Sequence, residues 1–224
     1  MTAWTAAADE LLRVGGRSGE GIVARDPMGR VLILFVGCGL LYGAVMGCYD
    51  GGVDVRPLQA FYSAIKVPLL FAASFAISLP SFFVLNTLAG VRGDFPEALR
   101  ALMKTQAGIA LILASLAPLT AVWYLSSTDY RLAKIFNLAM FALASLAGQW
   151  LLRRRYAALL QRNAVHRSLV RAWLVIYAFV GVQMAWIGRP FIGAPGMETR
   201  LLREGAWSNA YVHLAKVIWQ TLGG

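Results

Sequence analysis

The chain has 224 residues, of which 58% are hydrophobic and only 14% charged, and its mean hydropathy is +0.61. Soluble globular chains carry about a quarter of charged residues, so a soluble domain is excluded as the ground plan. The net charge of +10 does not point to nucleic acid, because the basic residues cluster between apolar runs, as topology signals and contacts for anionic lipid do, and no basic stripe with interleaved aromatics appears.

Residues 1–29 are polar and mixed in sign, and are expected to form a cytoplasmic segment, part amphipathic and part flexible. Trp4 to Val14 fits a short surface helix. Gly15, Gly16, Gly19 and Gly21 read as a linker, since no Gly-Lys-Ser/Thr follows them. Asp26-Pro27 then gives an N-cap and a first-turn proline, opening a span over about 30–48.

In that span Gly39, Gly43 and Gly47 recur every four residues, so they form one smooth strip along a helix. Such a strip lets a second backbone approach, within the chain or across an oligomer. Cys38 and Cys48 lie ten residues apart on the same helix, about 15 Å, too far for a disulfide within the chain. Asp50 and Asp54 flank a Gly-Gly turn in the loop that follows. Two carboxylates without further oxygen ligands are a weak cation site. Pro57 is expected to open a short interfacial helix over 58–65.

The second span, about 67–89, is uncharged for 23 residues, about 34 Å of helix, which matches the hydrocarbon thickness of a bilayer. Pro68 fits its first turn, and Pro80 predicts a mid-span kink. Ser74, Ser78 and Ser81 fall on one face, and Asn86 on another. These neutral groups are either interhelical glue or the lining of a wetted path. The spacing does not separate the two.

Asp94-Phe-Pro-Glu97 reads as a capping box that starts a short surface helix. The third span, about 105–125, has a second predicted kink at Pro118 and ends on Trp123 and Tyr124, where amphipathic rings prefer to sit. The fourth, about 132–152, carries a small-xxx-small pair, Ala144 and Gly148, and is stopped by Arg153, Arg154 and Arg155. The fifth runs over about 168–188. Beyond it, 189–224 is expected to be a periplasmic tail with a rigid Pro-Gly turn. An amphipathic helix should follow, presenting Tyr211, Leu214, Ala215, Ile218 and Leu222 on one face.

Lys and Arg set the orientation. Four lie in 1–30, three in 91–104 and six in 153–171, against two, two and four in the alternate segments. The excess predicts a cytoplasmic N-terminus and a periplasmic C-terminus.

No span interior contains Asp or Glu, which disfavours a carboxylate proton relay. The only histidines, His166 and His213, lie outside the spans. No cofactor, metal or catalytic residue is expected. The partners expected are the lipid bilayer and other membrane proteins or further copies of the chain.

Four motifs carry a resemblance: KVPLL at 66–70, LPS at 79–81, Asn86 with Gly90, and QMAW at 183–186 followed by RPFIGAPG at 189–196. Over about 30–196 the chain resembles a group of bacterial five-span inner-membrane proteins. In span number and size it is similar to the five-span Yip1-type membrane proteins. The resemblance implies an all-α polytopic bundle of the bacterial inner membrane that associates with other membrane proteins. The expected role is that of a non-catalytic accessory or scaffold subunit. The alternative is a homo-oligomeric channel lined by the second span.

Overall fold

The computed structural model describes residues 28–49, 57–193, 198–202, 208–213 and 219–220. The expectations for Trp4–Val14, for Asp26-Pro27, for Asp50 and Asp54, and for most of the C-terminal amphipathic face lie outside these residues. The described residues are helical, without strands. Helices α1 (Met28–Gly47), α2 (Pro57–Leu88), α3 (Phe95–Ser126), α4 (Tyr130–Arg155), α5 (Ala157–Arg162) and α6 (Val165–Ile187) follow in order, with a 3₁₀ turn at Arg92–Asp94. All but α5 are long and apolar enough to cross a membrane.

Two helices are longer than the spans within them. The expected interfacial helix at 58–65 and the second span are one helix, and Pro68 lies inside it rather than in its first turn. Its 32 residues reach about 48 Å, beyond the roughly 30 Å hydrocarbon core. Backbone hydrogen bonding does not stop where apolarity stops. The polar turns of α2 also gain a partner, because they pack on α1. Likewise α3 runs unbroken from Phe95, and Asp94 makes no side-chain cap to it. The capping box is therefore not formed. The Asp94 carboxylate is drawn away to Arg162 and His166 instead. Pro80 and Pro118 both lie within continuous helices, on exposed positions.

The helices form an open arc in the spatial order α4, α3, α1, α2, α6. Glycine sets the tightest contact. A Cβ on Gly43 would lie 2.4 Å from the Ser63 carbonyl oxygen, and one on Gly47 would lie 2.6 Å from the Ala60 Cα. The α1 strip is thus filled by α2 of the same chain. At the α3–α4 contact, a Cβ on Gly148 would meet Ile109 at 2.3 Å, and Ala144 beside it is fully buried.

Two apolar clusters hold the arc. One joins Tyr42, Phe71, Leu113 and Met140 near the α3–α4 connection. The other joins Phe82, Leu102, Tyr156 and Trp173 at the opposite end. The terminal helices of the arc, α4 and α6, leave a cleft between them.

Candidate functional site

The cleft has a volume of about 650 Å³, within the range typical of ligand sites. Leu138, Phe141 and Gly148 of α4 form one wall, and Trp173, Ala178 and Ala185 of α6 form the other. Phe71 and Ser74 of α2 and Gln106 of α3 lie on its floor. The apolar walls follow from sequence: α4 and α6 lack packing partners on these faces, and in lipid such a face needs none.

Most of the floor's polar groups are engaged within the bundle. Ser74 donates to the Leu70 carbonyl at 2.7 Å, and Thr105 to that of Ala101 at 2.8 Å. The Tyr177 hydroxyl donates to Gln106 Oε1 at 3.1 Å, which ties α6 to α3 beneath the cleft. Asn137 is a hub. It accepts from the Tyr42 hydroxyl at 3.3 Å and donates to the Tyr124 hydroxyl at 2.6 Å and to the Ala133 carbonyl at 2.8 Å. It joins α1, α3 and α4. An amide inside an apolar span is the local mark of such a hub, and its tyrosine partners have no local mark.

One mouth of the cleft is basic. Lys134 sits 4.6 Å from the centroid of Tyr130, and Arg189 lies over Trp186 at 3.2 Å. Both line the cleft. Beside this mouth the turn after α6 is strapped to α2. Lys66 Nζ donates to the Pro190 carbonyl at 2.6 Å, Gln59 Nε2 donates to the Phe191 carbonyl at 3.1 Å, and Ser63 donates to the same oxygen. The KVPLL and RPFIG motifs therefore meet in space.

The four residues of the second-span polar set do not share an environment. Ser74 and Ser78 are buried, and Ser78 donates to the Ser74 carbonyl at 2.7 Å. Ser81 is on the outside. Asn86 is fully buried at the other end, where its Nδ2 donates to the Phe82 carbonyl and its Oδ1 has no partner.

At the end away from Lys66, Asp94 Oδ2 is 3.0 Å from Nε2 of the fully buried His166, while its Oδ1 accepts from Arg162 at 2.6 Å. Glu97 also accepts from Arg162, at 3.2 Å. The hydrogen bond to Asp94 and the charge of Glu97 hold the Arg162 guanidinium further up than usual. Burial pushes the Tyr156 phenol up. The Tyr156 hydroxyl and His166 Nδ1 are buried without hydrogen-bond partners. Arg153, Arg154 and Arg155 end α4 here, and Arg154 lies over Trp150 at 3.6 Å. This cluster fixes α5 and the start of α6 to the start of α3.

Among the described residues of the tail, those at 208–211 lie against α6. Tyr211 stacks on Phe179 at 4.3 Å, its hydroxyl donates to the Phe179 carbonyl, and Gln183 bonds both Ser208 and Ala210.

No family model, no curated protein and no solved structure matches the chain.

Proposed function

We propose that this chain is a non-catalytic integral membrane protein, an accessory or scaffold subunit of a larger membrane assembly, and that it works by binding an apolar membrane component in the α4–α6 cleft. The observation that carries this reading is the open arc. Its inner contacts are tight at Gly43, Gly47 and Gly148, yet its two end helices stay apart around an apolar space of about 650 Å³.

The polar inventory supports binding over conduction. Ser74 and Ser78, the buried serines of the second span, donate to carbonyls of their own helix. A homo-oligomeric channel would need such groups turned to a shared aqueous axis.

The proposed location is the bacterial inner membrane. Arg92, Arg100, Arg153, Arg154, Arg155 and Arg162 gather at the end where α3 and α6 begin and α4 ends. The positive-inside rule makes that end cytoplasmic.

The test is extraction of the native protein in mild detergent, followed by identification of what accompanies it. The expected result is a complex with other membrane components. Recovery only as a bare monomer contradicts the reading.

A further inference from the structure

We propose that the cleft holds one phospholipid with an anionic headgroup, its phosphate at Lys134 and one acyl chain along the floor. This rests on the reading of the cleft as a binding site and names its occupant.

Two observations carry it. The first is charge. Lys134 is exposed at the mouth, Arg189 lines the same mouth, and no Asp or Glu is among the described lining residues. Asp129, close by on the chain, accepts from the N–H groups of Arg131 and Leu132 as the α4 cap.

The second is length. From Lys134 the lining residues of α4 continue to Leu152, about 27 Å at the helical rise. One leaflet's share of the hydrocarbon is about 15 Å, so an acyl chain anchored at Lys134 lies wholly against protein.

The wall and floor chemistry agrees. Phe71, Phe141, Trp173 and Leu174 present hydrocarbon and ring faces, and the hydroxyls of Ser74 and Thr105 and the side-chain oxygen of Gln106 already have partners.

The experiment uses the full chain in nanodiscs made from equal amounts of phosphatidylglycerol and phosphatidylcholine, with retained lipid read by native mass spectrometry. One phosphatidylglycerol per chain is expected to persist. Lys134→Ala should lower that retention about fivefold, as expected for one basic residue near a charged lipid surface, and Lys134→Arg should restore it. Ala178→Trp, on the exposed cleft wall, should remove the lipid whatever its headgroup. Equal retention of both lipids, or retention unmoved by Lys134→Ala and Ala178→Trp, overturns the proposal. A protein segment cross-linked in the cleft with no retained lipid overturns the lipid assignment but leaves the binding subunit standing. An empty cleft with neither lipid nor protein removes both.

Discussion

The ammonium of Lys66 donates to the Pro190 carbonyl at 2.6 Å and is almost fully buried there. Residues 124 positions apart thus close one end of the bundle. Hydrogen bonds from charged groups contribute about 1.5–3 kcal/mol. Lys66→Met keeps the stem and removes the donor, so it should cost stability in that range. The melting point in micelles should fall. Arg131→Met, at an exposed position outside the cleft, should leave it unchanged.

The α1–α2 contact tolerates no added carbon. Gly43→Ala and Gly47→Ala should each destabilise by about 1–3 kcal/mol, because the neighbouring atoms are backbone and cannot step aside. Gly37→Ala, with nothing within 4 Å of its added carbon, should be neutral or stabilise by up to about 1 kcal/mol through helix propensity. Equal melting points for all three variants would contradict the close approach.

Gly148 faces a side chain rather than backbone. Gly148→Ala should destabilise, and Ile109→Ala should relieve the crowding. In a double-mutant cycle the pair should show a favourable coupling of about 1 kcal/mol. Additive effects would mean the two residues do not touch.

Arg162 and Asp94 should rank unequally. The Arg162–Asp94 pair is largely solvated, and exposed ion pairs contribute little. Arg162→Ala should barely move the melting point. Asp94→Ala should lower it further, because it also strips the Nε2 partner from buried His166, whose Nδ1 already has none. The reverse ranking would show that the arginine, not the histidine, is what Asp94 holds.

The five apolar runs were legible because length and lack of charge are written locally. The polar contacts were not. Lys66 reads as a boundary residue and Asp94 as a cap, and both readings are sound for an isolated helix. Their partners, Pro190, Arg162 and His166, lie far along the chain, so no local pattern could announce them. The glycine strip was legible as a close approach, but its partner was not, since a helix of this chain and a neighbouring copy satisfy the same spacing. The helices of 32 residues outrun the spans that hydropathy marks, because hydropathy marks where lipid ends, not where hydrogen bonding ends. The cleft had no local signature, because it is formed by the faces that two helices do not share.

The most direct measurement is site-specific photocross-linking in native membranes. One probe replaces Leu138, an exposed residue on the cleft wall, and the other replaces Val84, exposed on α2 away from it. The account predicts a single discrete adduct from position 138 and only diffuse bulk-lipid labelling from position 84. The same diffuse pattern at both positions would contradict it.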